Sequence, residues 1–540
     1  MAVSLTDVVS YKRLVAAGNN QIWYEDLSVA TGTMVELDTS SGAINTTDQL
    51  NMFEGYQKVF IVNGSNFKVA DFTNTKIVDA SNFTNKPAKG DIVYQNGSAP
   101  AQMVVDYIDS ANDVMYGYVI SGTFEVTTAI TTVVGGAGDV IFPSPAAPVS
   151  SPHWYDWTPY DNDTGTYGAL PNKAYIGCLY RGRCVISGNP EYPYQWYMSR
   201  QANPWDFAYV ANDAGTPVAG GNSDAGELGD MIRALIPYKD DYLIFGCATS
   251  IWFLAGDPAE GGSINELDLT TGMFGANSWC FDGDGNLFFW GTNGIYVTPI
   301  PGTPTCISEI RLPNLVNDEV VDPSTYRITM AYARKRKGIL ICITKLSDGT
   351  NSNYWYDLRS GGFFPESYPD ECGVYSAFYY AANSNSYRDL LVGCKDGYIR
   401  KFDASAKDDN KGASDQAINS YVKFGPISMF SEDPDKQGKI TGLNLITAGG
   451  GANGSQSDSD DVNFRVYTAK SAEEVIEKLS ADTNPQIAGI FKAPGRQPGT
   501  RRNQKAKGAY LGVRLDNIAS DKVWGFERLV GTVLPSGRIK

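Results

Sequence analysis

Apolar and polar positions along the chain fall into a pattern that recurs seven times: an apolar run of three or four residues, a Gly/Asn-type turn, and a second run rich in aromatic or β-branched residues. The alternation and the turn chemistry predict a β-hairpin for each copy. The first runs begin at Leu14, Val59, Val185, Leu243, Leu287, Ile339 and Leu390. Their partners include Ile22-Trp23-Tyr24, Phe67-Lys68-Val69, Trp196-Tyr197, Ile251-Trp252-Phe253-Leu254, Gly294-Ile295-Tyr296-Val297, Tyr354-Trp355-Tyr356 and Tyr398-Ile399-Arg400. The anchors lie 45, 126, 58, 44, 52 and 51 residues apart. All but one spacing fall near the roughly 40 to 50 residues of a four-stranded propeller blade. The pattern therefore predicts an all-β chain built on a β-propeller of six or seven blades, with the first two hairpins and the last sharing closure of the ring.

The 126-residue interval is one blade plus an insertion of roughly 75 residues. Residues 86–140 supply it, with alternation at Met103-Val104-Val105-Asp106-Tyr107 and turns at Asn96-Gly97 and Ser121-Gly122, which predicts a small inserted β-barrel or sandwich. The expected organisation is a first propeller part at 1–85, the inserted β-domain at 86–140, the remaining blades at 141–403, a linker at 404–417 and a C-terminal β-sandwich-like domain at 418–540. In that last domain Ser471 and Glu474 form a capping box ahead of Val475, Ile476 and Leu479, which predicts one short helix.

Composition agrees with many short strands and tight turns: 56 Gly, 27 Pro and 65 aromatics (10 Trp, 32 Tyr, 23 Phe). Charge adds a second division. The 44 basic and 60 acidic residues give −16 overall. From Ser420 onward there are 17 basic and 13 acidic residues, a net of +4, which leaves −20 for the first 419. Such a balance opposes a broad grip on nucleic acid or anionic lipid. No run of about 18 apolar residues and no signal-like start occurs, so passage through a membrane or stable insertion into one is not expected. Eight Cys without a CxxC lie mostly within strand-like runs, as in Leu340-Ile341-Cys342-Ile343, and read as buried free thiols.

Candidate chemistry is sparse. His153 is the only histidine, which limits every mechanism that needs an imidazole base or ligand. Asp156, Asp161 and Asp163 near Trp154 and Trp157 are the carboxylates to weigh for glycoside hydrolysis, and those two Trp are the aromatics that glycan binding would use. Ser347-Asp348-Gly349 with Trp355 is the nearest approach to a sialidase Asp-box, in the wrong register and unrepeated. Asp282-Gly283-Asp284-Gly285-Asn286 starts like a calcium loop but lacks the distal Glu and reads as a hairpin turn. The glycine-rich segments 220–229 and 449–454 carry no phosphate-loop signature. No catalytic, cofactor or metal residue is expected, and the chain reads as a structural protein rather than an enzyme. One basic cluster, Arg496, Arg501, Arg502, Lys505 and Lys507, suits contact with an acidic neighbouring subunit or DNA phosphates.

A resemblance adds to this. Tyr180-Arg181-Gly182-Arg183-Cys184-Val185-Ile186-Ser187-Gly188-Asn189-Pro190, continuing through Gln195-Trp196-Tyr197-Met198-Ser199-Arg200 to Asn203-Pro204-Trp205-Asp206-Phe207, resembles a passage of podovirus tail nozzle proteins. Gly508-Ala509-Tyr510-Leu511-Gly512-Val513-Arg514-Leu515, Trp524-Gly525-Phe526-Glu527 and Pro535-Ser536-Gly537-Arg538 resemble the end of the same proteins. The resemblance implies a virion tail protein assembled in the host cytoplasm. It implies six copies forming a tube below the portal and adaptor, contacts with fibres or a needle, and passage of double-stranded DNA through the channel. The insertion departs from that family's pattern. The alternative reading is a carbohydrate-binding propeller of a phage or cell surface, and after it a glycoside hydrolase.

Overall fold

The computed structural model describes residues 1–6, 10–26, 33–37, 44–97, 100–132, 138–160, 165–223, 225–319, 321–403, 405–412, 414–430, 436–449, 458–492, 500–502 and 506–538. Two compact units emerge, one of residues 1–366 and 373–401 and one of 367–372 and 402–540.

The first unit is a β-propeller of seven blades, each an antiparallel sheet. Every recurring hairpin of the sequence is the second and third strand of one blade, as in Arg183–Asn189 with Tyr192–Met198 and Gly338–Lys345 with Asn351–Asp357. The apolar runs become these middle strands because they are covered on both faces by neighbouring blades. In Lys58–Asn63 and Leu287–Gly291 every residue is buried. Some outer strands are very short, down to the pairs Val218–Ala219 and Thr305–Cys306.

Apolar clusters bind blade to blade around the ring. Val3, Leu5 and Val15 of the first blade pack on Val59 and Ile61 of the second, and Leu287 and Phe289 of the fifth on Ile236 and Ile244 of the fourth. The ring closes between the first blade and the last through Leu14, Tyr380, Ala382 and Leu391. Lys12 N donates to Asn383 Oδ1, and Asn383 Nδ2 to Lys12 O, each at 3.0 Å. Closure thus uses side-chain packing and these side-chain bonds between the first hairpin's sheet and the three-stranded last sheet, and among the described residues no sheet mixes strands from both ends of the unit. The seam also carries a hydrogen bond from the Tyr380 hydroxyl to Glu25, both residues buried. Tyr380→Phe is expected to cost about 1–3 kcal/mol, the desolvation of a buried acceptor that loses its donor, read as a lower thermal midpoint in calorimetry.

The insertion lies within the second blade. Its third strand, Asn66–Asp71, and fourth strand, His153–Asp156, pair directly, Asp71 opposite His153, and everything between them leaves and returns at that point. The intervening chain forms a six-stranded antiparallel sheet ordered Val140–Phe142, Ile130–Thr131, Ile92–Gln95, Ala101–Asp109, Val114–Ser121 and Thr75–Val78. Bridges Lys76–Val149 and Asp79–Pro145 join the end of the segment back to the last of these strands, so the sheet curls on itself.

The second unit is a sandwich. One sheet orders Ser420–Ser428, Tyr510–Asn517, Val462–Ala469 and Ile487–Phe491; in the other, Lys436–Thr447 pairs with Thr500–Arg502 and Ala506–Gly508 on one side and with the long strand Phe526–Arg538 on the other. Leu443, Leu445, Phe464, Val466, Val513 and Leu515 fill the space between. Helix Ala472–Ala481 is capped by Ser471, whose side chain accepts from Glu474 N at 3.2 Å. Val475 and Leu479 face inward, whereas Ile476 is exposed. A hairpin, Asp408–Lys411 with Ser414–Ala417, forms where the sequence reads as plain linker. Among the described residues no helix is long and apolar enough to cross a membrane.

Candidate functional site

In a propeller the innermost strand of each blade has one backbone edge without a strand partner, and the ring turns these edges toward its axis. Here the inner strands of blades two to five surround a cavity of about 420 Å³ lined by Asn51, Glu54, Gly177, Pro237, Asn277 and Trp279 among others. Polar side chains stitch the blades beside it. Glu54 Oε1 accepts from Ser4 N at 2.6 Å, and Asn51 Oδ1 from Gly177 N at 3.1 Å. A carboxylate, carboxamides and an indole around one concavity suit a polyhydroxylated ligand. Among the described lining residues Glu54 is the one carboxylate, whereas two-carboxylate glycoside hydrolysis needs a pair.

A second polar centre lies where the insertion meets the second blade. Lys58, 4% exposed, points its ammonium at Asp106 Oδ2 (2.7 Å) and at Asp71 Oδ2 (3.7 Å), Asp71 being 0% exposed. Lys89 pairs with the other oxygen of Asp106. Asn74 Nδ2 donates to both carboxylates at 2.7 Å, and the Tyr155 hydroxyl to Asp71 at 2.9 Å. Burial alone would raise the pKa of Asp106, but Lys58 and Lys89 outweigh it and hold the carboxyl well below the usual range. Burial likewise works against charge on Lys58, and Asp71 and Asp106 overcome it and raise its pKa. Asp106 and Lys58 therefore stay ionised near neutral pH, and the pair pins the insertion to its blade electrostatically. The signal for it in the sequence was a Lys and an Asp bracketing apolar strand runs, Lys58 before Val59-Phe60-Ile61 and Asp71 after Val69-Ala70.

Other residues singled out from the sequence serve structure. His153 is buried, its Nε2 at 3.1 Å from Val149 O, and burial lowers its pKa. Trp154 and Trp157 are buried as well, and Trp157 Nε1 donates to Pro204 O at 2.9 Å. They present no glycan platform, so the aromatics that the glycan-binding alternative would use are not available to it. Asp156 is exposed and paired with Lys68, while Asp161 and Asp163 lie outside the described residues. Asp282 turns back on its own hairpin, accepting from Asp284 N and Asn286 N at 2.9 Å. All eight cysteines are free, and burial pushes the Cys247 thiol up to about 12. Among the described residues no group of His, Cys, Asp and Glu could hold a metal ion. Of the basic cluster, Arg496 and Lys505 lie outside the described residues. Arg501 and Arg502 pair as backbone with Asn444 and Leu443, and Lys507 is exposed opposite Lys439.

The passage at 180–207 also has a structural meaning. Arg183, fully buried, donates to the carbonyls of Ser199 (3.1 Å), Ala214 (3.0 Å), Gly215 (3.2 Å) and Thr216 (2.6 Å) and pairs with Asp257 at 3.2 Å. Arg200 clasps Asp206 and Asp213, both at 2.6 Å. Together they hold the long exit of the third blade in place.

Neither a family model nor a curated protein matches the chain. Solved structures similar to it include the exo-β-1,3-galactanase of Phanerochaete chrysosporium with galactose (11% identity, 85% of this chain, 100% of that one, TM-score 0.24). An auxiliary nutrient binding protein from Bacteroides ovatus (11%, 67% and 88%, 0.24) and a structure described as a glycoside hydrolase (10%, 82% and 97%, 0.18) are others. Glycoside hydrolases thus stand among the similar structures, and the expectation that the chain is not an enzyme is withdrawn.

Proposed function

We propose that this chain is the nozzle subunit of a short-tailed phage tail, a homo-oligomer of six copies that continues the DNA channel below the portal and adaptor in the virion. The observation that carries this reading is the charge division, −20 over the first 419 residues and +4 from Ser420 onward. Opposite net charge on two segments of one chain favours head-to-tail contact between copies, and head-to-tail contacts that close make rings. The resemblance at 180–207 and in the C-terminal segments supports the same reading. An acidic channel wall would repel phosphates and let DNA slide without sticking. Electron microscopy of the purified chain, alone and mixed with portal–adaptor complexes, tests it: sixfold rings that dissociate as salt rises are expected. Monomers at every concentration, with no capture by the portal–adaptor complex, would reject it.

A second reading, a carbohydrate-binding propeller, is favoured by the axial cavity with Glu54, Asn51, Asn277 and Trp279. Those side-chain types hydrogen-bond hydroxyls and stack on sugar rings.

A further inference from the structure

The third blade is built differently from its neighbours at its outer edge. In the fourth blade the outer strand Ser263–Asp268 pairs with the whole of Ile251–Ala255. In the third, the outer strand is only Val218–Ala219, and its partners are Tyr197 and Met198 alone. The half of the strand from Tyr192 to Gln195 therefore has no outer strand against it among the described residues. On that side Trp196 Nε1 donates to Gly226 O at 3.2 Å and Gln195 Nε2 donates to Glu227.

Between strand edge and loop lies a concavity of about 270 Å³ lined by Tyr192, Gln195, Tyr197, Ala219, Gly221 and Asn222. Tyr192 is 50% exposed, and Tyr194 beside it 36%. Asn222 Oδ1 accepts from Ala219 N at 2.7 Å, which fixes that side chain at the rim. Burial, with Tyr192, Glu227 and Tyr194 adding to it, raises the pKa of Tyr197, so its hydroxyl remains a donor at neutral pH.

We propose that this shelf, with Tyr192 and Tyr197 as stacking faces and Gln195 and Asn222 as hydrogen-bonding groups, binds a neutral saccharide. Two solvent-exposed rings beside a shallow concavity are costly to leave in water and match the C–H faces of pyranose rings. The amide groups of Gln195 and Asn222 at the rim match the hydroxyls around those faces. The net charge of −20 over residues 1–419 disfavours anionic sugars, which selects for neutral ones. This inference rests on the saccharide-binding reading and not on ring formation, and it places the ligand on the third blade rather than at the axis.

The test is titration calorimetry and saturation-transfer NMR of the full chain with two probes, maltoheptaose and a β-1,3-linked galacto-oligosaccharide. The double variant Tyr192→Ala/Tyr194→Ala removes two exposed rings, and far-UV circular dichroism confirms that it folds. It should bind about tenfold more weakly or worse, while Tyr398→Ala, which removes an exposed ring from the seventh blade, should bind as the parent does. Unchanged affinity in the double variant overturns the shelf. Loss of binding in Glu54→Gln alone also overturns it while preserving the saccharide reading at the axial cavity, and binding of neither probe by the parent overturns both.

Discussion

Replacing Lys58 by Met is expected to destabilise the propeller unit by about 3–5 kcal/mol, the cost of removing one partner from a buried ion pair. The Met side chain keeps the stem but takes away the ammonium that lies 2.7 Å from Asp106 and 3.7 Å from Asp71. Two carboxylates then share Asn74 with only Lys89 to balance them. Calorimetry should show a lower midpoint, and hydrogen exchange should rise first in Ala101–Asp109, the strand that carries Asp106. The pH dependence follows from the two shifts. Asp106 is depressed in the folded state, so its contribution is complete above its unfolded pKa of about 3.9 and fades as pH falls below that. Lys58 is raised, so its contribution is complete below about 10.4 and fades as pH rises past it. The variant should lose part of both slopes; an unchanged acid limb would show that Lys58 does not hold Asp106 ionised.

Arg183→Met should cost a comparable amount, about 3–5 kcal/mol. The fully buried guanidinium donates to four carbonyls and pairs with Asp257, and Met leaves the carbonyls of the buried Ser199 and Thr216 and the Asp257 carboxylate facing an apolar thioether. Arg183→Lys should rescue little, because an ammonium has three donors where this site uses a planar fork. Hydrogen exchange across residues 199–217 separates this cause from a general loss of packing, since that loop should open in both variants while the first blade stays protected. Equal opening in the first blade would count against a local anchor.

The middle of each blade was legible because its two strands are apolar, aromatic and joined by tight turns, so one copy of the pattern corresponds to one sheet. The outer strands were not. Met34–Glu36 and Val218–Ala219 are too short and too mixed to show a period, and only pairing with a neighbour makes them strands. Lys58, Asp71 and Asp106 lie far apart along the chain and become one cluster only because the insertion folds back over its own blade. Trp154 packs in the cluster between the first and second blades, and Trp157 lies against Phe60 at 4.8 Å and Phe207 at 6.0 Å between ring centroids. The exposed tyrosines of the third blade went unnoticed because exposure there depends on how short the neighbouring strand is.

Asp71 and His153 sit face to face across a strand pair, and the chain between them departs from and rejoins the blade at a single spot. Geometrically that excursion is an overgrown turn: exchanging it for a two-residue hairpin loop asks nothing of the path taken by the other six blades. A lineage carrying such a scaffold can trade this module for another without rethreading the ring, provided the newcomer supplies its own counter-ion for the lysine beneath it.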